Sequence, residues 1–209
     1  MSGIVTLISG RGSNMQALLE AGLPVTAVIS NRPDARGLDT ARARGIPAEV
    51  VDHKAYANRE AFDAALLETV LSHRPSLVVL AGFMRVLTGG FVQALSGRLM
   101  NIHPSLLPAF PGLDTHQRAL DAGVKLHGCT VHFVTEALDH GPIVAQAAVP
   151  VLDDDTAGTL AARVLEQEHR LLPAAVRWFL DQRLEVSGLR VSLRGAAPPV
   201  PFVRMPEVT

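Results

Sequence analysis

The sequence predicts an α/β protein built on an open, mainly parallel sheet with helices on both faces. Short segments such as 4–8 and 77–81 are apolar on both strand faces, which is typical of buried parallel strands. Segments with helical periodicity alternate with them, as βαβ units require. Near the C-terminus, the strand-like segments 128–134 and 143–149 are joined by a turn and predict an antiparallel addition.

The remaining elements follow from the same patterns. Further strands are expected at residues 25–30, 49–51 and 99–102. Helices are expected at 15–21, 37–44, 58–72, 91–95, 115–122 and 156–172, and Pro173 is expected to restart or kink the last one. A hairpin is expected at 184–191, followed by an irregular or mobile tail at 195–201. We expect one domain over residues 1–184 and a tail, 185–209, that is not a separate domain.

Two of these helices carry more specific expectations. The inner stripe of helix 58–72 is expected to consist of Phe62, Ala65, Leu66, Thr69 and Val70. The three aspartates at 153–155 and Thr156 are expected to form a solvated, N-capping acidic start to the helix that runs to about residue 172.

Composition excludes several classes of protein. The 209 residues suffice for one substantial core, and a net charge of -1 gives no general attraction to nucleic acid or anionic membranes. A single cysteine, Cys129, excludes an internal disulfide framework, and the histidines lack metal-ligand spacing, so no metal is expected. The start Met1-Ser2-Gly3 resembles no signal peptide, and no apolar run approaches the ~20 residues that span a bilayer. We therefore expect a cytoplasmic protein.

A glycine-rich turn joins the first strand to the first helix. Residues 9–14 read SGRGSN, and a strand–turn–helix of this kind aims backbone N–H groups at an anion. The turn lacks the Gly-Lys-Ser/Thr ending of a Walker A loop and the third glycine of a dinucleotide motif. It therefore suits a single phosphate. The alternative is a plain βα turn in which Ser13 or Asn14 caps the helix.

The segment 101–108 places two polar side chains at the end of a strand. Asn101 and His103 lie two residues apart, on one side of an extended segment, and Pro104 prevents a central strand from continuing. Ligands of open α/β sheets bind at such strand ends. The alternative is that both residues only cap a turn.

These residues suit acyl transfer. A histidine transfers protons near pH 7, and an asparagine donates to a developing oxyanion. Asp139, on a later loop, would raise the pKa of His103 and orient its ring if folding brings the two together. A nucleophile elbow is absent, so the pattern favours a tetrahedral intermediate without a covalent enzyme intermediate.

Three further features each allow two interpretations. The apolar residues of loop 82–87 either line a pocket for a flat ring or cover the end of the sheet. Arg59, in the first turn of a helix, is either a surface charge or an anion contact. Glu168 lies on a core-facing stripe and is either paired structurally or open to a ligand cavity.

Taken together, these segments resemble the phosphoribosylglycinamide formyltransferase family, the folate-dependent transformylases of purine synthesis. The resemblance covers about residues 4–184. It rests on five segments in this order: 8–16, 80–85, 101–108, 127–134 together with 138–139 and 141–142, and 167–169.

The resemblance implies a Rossmann-like formyltransferase fold and two small-molecule substrates. These are glycinamide ribonucleotide and the co-substrate 10-formyltetrahydrofolate, used by a monomer or homodimer without metal, nucleic acid or membrane. Gly12, Ser13 and Asn14 would hold the ribonucleotide phosphate, and Glu168 would contact the same substrate near its ribose and glycinamide.

The resemblance also implies the catalytic and folate-binding residues. Asn101, His103 and Asp139 would stabilise the tetrahedral species formed when the glycinamide amine attacks the N10-formyl carbon. Arg59 would approach the glutamate tail of the folate. The implied folate contacts are Arg59, Met84, Arg85, Val86, Leu87, Asn101, Thr135, Glu136, Ala137, Leu138 and Asp139.

One residue departs from the family pattern, and three rivals remain. His140 stands where the family usually has glycine, which bears on the local backbone shape and not on the reaction. Formyltetrahydrofolate hydrolase typically carries an N-terminal regulatory domain, and methionyl-tRNA formyltransferase a basic C-terminal domain. A non-enzymatic nucleotide-binding module would explain Gly12 to Asn14 but not Asn101, His103 and Asp139.

Overall fold

The computed structural model describes residues 3–196. Its strands are β1 (Ile4–Ile8), β2 (Val25–Ser30), β3 (Ala48–Val50), β4 (Leu77–Leu80), β5 (Leu99–His103), β6 (Leu126–Phe133), β7 (Ile143–Pro150), β8 (Leu184–Ser187) and β9 (Arg190–Leu193). Its helices are α1 (Ser13–Glu20), α2 (Arg36–Ala43), α3 (Arg59–Ser72), α4 (Gly89–Ala94), α5 (Thr115–Asp121) and α6 (Ala157–Leu180). A short 3₁₀ turn spans His53–Ala55.

The predicted α/β class is confirmed. Strands β1 to β7 belong to one mainly parallel sheet, and β8 and β9 form a separate two-stranded sheet. The chain divides into two compact units. Of the described residues, the first unit holds 3–102 and 133–141, and the second holds 103–132 and 142–196.

The first unit is a parallel sheet with the strand order β3-β2-β1-β4-β5. Every residue of β1 and β4 is buried, as continuous apolar strands in a doubly covered sheet require. Leu80, the last residue of β4, pairs with Leu7 of β1 and with Asn101 of β5. The carboxyl ends of these three strands therefore lie at one edge of the sheet.

Helix α3 packs its apolar stripe onto this sheet. Phe62, Leu66 and Val70 are buried with residues of β1, β2 and β4 in one core cluster. Asn58 begins the helix by accepting a hydrogen bond from the Ala61 N–H at 2.8 Å, as a good N-cap does. The stripe also contains Asp63, which is only 2% exposed. The stripe predicted from the periodicity did not include this carboxylate.

The second unit contains the predicted antiparallel pair. β6 and β7 pair from Leu126 opposite Pro150 to His132 opposite Ile143, with an irregularity after Val131. The predicted C-terminal hairpin is confirmed as β8 and β9. Most of the tail expected at 195–201 lies outside the described residues. Within 3–196, no helix is long and apolar enough to cross a membrane.

Helix α6 corrects one expectation. The helix was expected to run to about residue 172, but it continues through Pro173 to Leu180. Proline removes one backbone donor, at a cost that buried neighbours offset. Leu172, Ala175 and Val176 are all fully buried on the same helix, and this apolar face holds the helix together across the proline.

At the start of α6, Thr156 is the N-cap and Asp153 and Asp154 are exposed, as expected, but Asp155 corrects the expectation of a fully solvated start. The side chain of Asp155 is 2% exposed and not solvated. Its two oxygens accept hydrogen bonds from Arg163 at 2.7 and 2.9 Å. It also accepts from the Leu152 N–H, while Thr156 and Thr159 form the capping box. The Arg163 guanidinium holds the pKa of Asp155 well below its usual range.

Candidate active site

The loop after β1 delivers the glycine-rich turn to the start of α1. Gly12 is the N-cap, with the left-handed angles φ 72° and ψ 30°, and no described side chain caps the helix. Ser13 and Asn14 are the first helical residues. Capping of the helix by Ser13 or Asn14 is therefore wrong, because a residue without a side chain occupies the cap.

Gly12 lies against Gly37 at the start of α2. A Cβ on Gly12 would lie 3.1 Å from the Gly37 Cα, and a Cβ on Gly37 would lie 2.5 Å from the Ile8 Cδ1. The Gly37 N–H donates to the Gly10 carbonyl at 3.1 Å. This backbone-to-backbone packing fixes the turn and explains why both positions lack side chains.

The turn opens onto a depression that also includes the end of β4. Its volume is about 180 Å³, and its lining residues are Ser9, Gly10, Arg11, Gly12, Ser13, Asn14, Ala81, Gly82 and Met84. Ser9 joins the two loops, since its Oγ accepts from the Met84 N–H at 2.8 Å and donates to the Asn31 side chain at 2.6 Å. This bridging role of Ser9 was not predicted from the sequence.

The loop of residues 82–88 follows β4. Its apolar side chains are partly buried in the core and partly exposed. Phe83 is buried and belongs to the core cluster, whereas Met84 is 71% exposed and Val86 52% exposed. The interpretation in which the loop covers the sheet end therefore holds for Phe83, and the pocket for a flat ring stays a prediction. Phe83 covers the sheet end, and Met84 and Val86 offer an apolar surface to a ligand.

The loop of residues 134–141 carries Asp139. Asp139 has a left-handed φ of 51° and His140 does not, so the departure from glycine at position 140 strains nothing. A Cβ on Gly141 would lie 1.7 Å from the Phe133 carbonyl oxygen, so glycine is required there instead.

A Cβ on Gly89 would lie 3.3 Å from a Glu136 oxygen, so this carboxylate lies at the start of α4, where the helix dipole favours it.

Strand β5 carries Asn101 and ends at His103. His103 is buried, and its Nε2 lies 3.1 Å from the Phe110 carbonyl oxygen. A carbonyl only accepts, so Nε2 carries a proton in this arrangement. The loop that follows is held by buried hydroxyls, because Thr130 donates to the Ser105 carbonyl and Ser105 to the Ala109 carbonyl, both at 2.6 Å.

Two further histidines lie near His103. The rings of His116 and His127 are 5.2 Å apart in a T-shaped arrangement. Burial lowers the pKa of His127 to about 4 and also lowers the pKa of His116. Both rings are therefore neutral near pH 7 and add no positive charge beside His103. Only the folded structure brings these three histidines together.

Glu168 is a buried residue of α6. Burial raises the pKa of the Cys129 thiol in β6 to about 12, and the negative charge of Glu168 contributes to this rise. Cys129 therefore remains a neutral thiol and is no candidate nucleophile.

The predicted site residues fall into both units. The first unit holds Gly12, Ser13, Asn14, Arg59, Asn101, residues 84–87 and residues 135–139, and the second holds His103 and Glu168. Within the first unit, Gly12, Ser13 and Asn14 share one depression with Met84. Arg59 is exposed at the first position of α3. In the described part of the chain, no three His, Cys, Asp or Glu side chains form a group that could hold a metal ion.

A family model described as formyl transferase matches residues 2–176 of the chain. The chain therefore belongs to the formyl transferase family, whose members are transferase enzymes.

Several relatives narrow this class. The chain is 48% identical over 189 residues to the phosphoribosylglycinamide formyltransferase of Escherichia coli (strain K12), covering 88% of this chain and 89% of that protein. It is 42% identical over 205 residues to the protein of the same name from Haemophilus influenzae, and the match covers 95% of this chain and 97% of that protein. A solved structure, glycinamide ribonucleotide transformylase 1 from Symbiobacterium toebii, has a TM-score of 0.90 and 50% identity, covering 93% of this chain and 94% of that one. The resemblance stated from the sequence is confirmed.

Proposed function

We propose that the chain transfers the formyl group of 10-formyltetrahydrofolate to the amine of glycinamide ribonucleotide in purine biosynthesis. The observation that carries the proposal is the depression at the carboxyl ends of β1 and β4. On one side of this depression is the N-cap of α1, Gly12, which has no side chain. The other side includes the exposed Met84. An anion and an apolar ring are the ligands that such neighbouring surfaces suit.

The ribonucleotide phosphate binds at the turn that precedes α1. Gly12, Ser13 and Asn14 supply backbone N–H groups, and the positive end of the helix dipole favours the anion. Glu168 contacts the ribose and glycinamide, where its carboxylate accepts hydrogen bonds from hydroxyl and amine groups. Support comes from the absence of a side chain at the cap, which leaves space for the phosphate.

The folate binds against two loops of the first unit. Met84, Arg85, Val86 and Leu87 line the pterin pocket, largely through backbone groups, and residues 135–139 complete it. The exposed apolar side chains of Met84, Val86 and Leu138 support this assignment. Arg59 approaches the glutamate tail, consistent with an exposed guanidinium that a carboxylate can reach.

The reaction is a direct attack. The glycinamide nitrogen forms a bond to the N10-formyl carbon, and the carbonyl electrons move to oxygen. The tetrahedral species collapses as the bond between the carbon and N10 breaks, and a proton passes from the attacking amine to N10. Asn101 donates to the oxyanion, and His103 stabilises it and shares in the proton transfer. Asp139 positions a water.

The enzyme works on small molecules in the cytoplasm, without metal, nucleic acid or membrane, as a monomer or a homodimer. These parts of the proposal extend beyond family membership. They are consistent with a near-neutral chain.

Acceptor dependence tests the proposed function. The purified chain is given 10-formyltetrahydrofolate with and without glycinamide ribonucleotide, and the deformylated folate is measured by absorbance. We expect turnover only when the acceptor is present. Equal turnover without the acceptor would indicate a hydrolase, and ligand binding without any turnover would indicate a binding module.

A further inference from the structure

Two consecutive residues of α3 hold the loop of residues 82–88. The Phe62 ring lies beneath the Arg85 guanidinium, with 4.9 Å between the guanidinium carbon and the ring centroid. Asp63 accepts a hydrogen bond from the Thr88 N–H at 2.5 Å. One helix turn thus contacts the loop at a side chain and at a backbone amide.

Asp63 is an acidic residue in the otherwise apolar buried stripe of α3. It is buried beside Phe62 and Leu66, and a buried carboxylate is costly unless it makes specific hydrogen bonds. Its Oδ1 has no hydrogen-bond partner among the described residues. An apolar side chain would fill the position at less cost, unless the hydrogen bond that Oδ2 accepts from the Thr88 N–H is needed.

The other end of the loop is held in the same manner. Buried Ser9 accepts from the Met84 N–H at 2.8 Å, and the Ser9 N–H donates to the Gly82 carbonyl at 3.1 Å. The exposed side chains of Met84 and Val86 lie between these two fixed amides. The loop is therefore anchored near each end by a hydrogen bond to a buried polar side chain, Ser9 at Met84 and Asp63 at Thr88.

We propose that Asp63 is a positioning residue for the folate-contacting loop. Its carboxylate is shielded from solvent, so it acts through the Thr88 amide and not by touching the folate. A charge-assisted bond from an amide to a carboxylate is stronger than a neutral one, and so suits an anchor. The inference rests on the proposed function, in which residues 84–87 line the pterin pocket.

The first test compares Asp63→Ala with Val70→Ala in the full chain. Val70 is fully buried on the same helix, two turns beyond Asp63, so its truncation controls for lost stability. Asp63→Ala should raise the KM for 10-formyltetrahydrofolate about tenfold, the value of one charged hydrogen bond, and change the KM for the ribonucleotide less than about twofold. Val70→Ala should alter neither KM. Asp63→Asn keeps an acceptor oxygen and should show a smaller rise.

A second variant removes the donor instead of the acceptor. Thr88→Pro deletes the N–H, and the φ of -73° at this position already suits proline. It should reproduce the rise in the folate KM. The double variant Asp63→Ala with Thr88→Pro should be no worse than either single variant, because both remove the same bond.

Hydrogen exchange at the Thr88 amide gives a readout that is independent of activity. Exchange should be at least about tenfold faster in Asp63→Ala than in the wild type, and unchanged in Val70→Ala. Unchanged exchange, equal rises in both KM values, or additive effects in the double variant would each overturn the proposal. If the wild type shows no acceptor-dependent transfer, the proposed function fails, and the exchange comparison alone decides whether Asp63 anchors the loop.

Discussion

Gly12 and Gly37 pack backbone to backbone, so close that a Cβ on Gly37 would lie 3.2 Å from the Gly12 Cα. One glycine caps α1 and the other lies at the start of α2. The shape of the proposed phosphate site therefore depends on a residue that belongs to a different helix.

Gly37→Ala should damage phosphate binding without removing any phosphate contact. The new Cβ would meet the Ile8 Cδ1 at 2.5 Å and the Arg11 carbonyl oxygen at 3.3 Å, and this overpacking should displace the turn. We expect the KM for the ribonucleotide to rise about tenfold and the KM for the folate to stay within about twofold. Gly158→Ala is the control, because its Cβ would meet no atom closer than 3.7 Å. A normal ribonucleotide KM in Gly37→Ala would refute this account of the turn.

His103→Ala should abolish most of the chemistry and leave nucleotide binding nearly intact. General acid–base groups contribute on the order of a hundredfold to ten-thousandfold, so we expect a loss of kcat in that range. Calorimetry should give a Kd for the ribonucleotide within about threefold of the wild type. His140→Ala, an exposed neighbour of Asp139, serves as the control. An unchanged kcat in His103→Ala would remove this residue from the mechanism.

His140→Gly should change little, although glycine is the usual residue of the family at this position. The left-handed conformation belongs to Asp139, with φ 51°, so position 140 needs no special backbone freedom. Both kcat and the two KM values should stay within about twofold of the wild type. By contrast, Gly141→Ala should inactivate the enzyme, because its Cβ would overlap the Phe133 carbonyl. A large gain or loss of activity in His140→Gly would show that the side chain itself takes part.

Asp155→Asn should destabilise the chain more at neutral pH than at pH 3. The pKa of Asp155 is lowered by Arg163, so its stabilising contribution is fully present above the usual value of 3.8, declines below it, and is lost only as the pH falls through the lower pKa of the folded chain. Urea unfolding at pH 7 should show a loss of about 1–3 kcal/mol, which shrinks at pH 3. Asp153→Asn, which removes an exposed ion pair with Lys125, should have almost no effect. Equal losses at both pH values would contradict the pairing.

His127 should make the chain less stable as the pH falls from 6.5 towards 4. Its pKa in the folded chain is about 4, so in this range the unfolded chain takes up a proton that the buried ring does not. His127→Asn should flatten the decline in the free energy of unfolding over this range, measured by urea titration in small pH steps. His140→Asn, at an exposed histidine, should leave the slope as it is. The same slope in His127→Asn and the wild type would mean that another group causes the decline.

Local patterns in the sequence predicted most of the architecture. The doubly apolar segments 4–8 and 77–81 became buried parallel strands, and 128–134 and 143–149 became an antiparallel pair. The strand-end position of His103 was also predicted, since Pro104 stops the strand. These features depend on periodicity and on proline, which are properties of neighbouring residues.

Contacts between distant segments could not be predicted in the same way. Asp63 was missed because a helical stripe predicts burial but not the arrival of the Thr88 amide. Asp155 was expected to be solvated because its partner, Arg163, lies two turns further along the helix. The packing of Gly12 on Gly37 and the bridge from Ser9 to Met84 likewise join elements that are far apart in the chain.

The most direct measurement follows the formyl carbon itself. The chain is incubated with glycinamide ribonucleotide and with 10-formyltetrahydrofolate labelled with ¹³C in the formyl group, and the products are examined by NMR. The account predicts that the label appears on the glycinamide nitrogen in a one-to-one ratio with deformylated folate. Label released as formate, with the ribonucleotide unchanged, would contradict it.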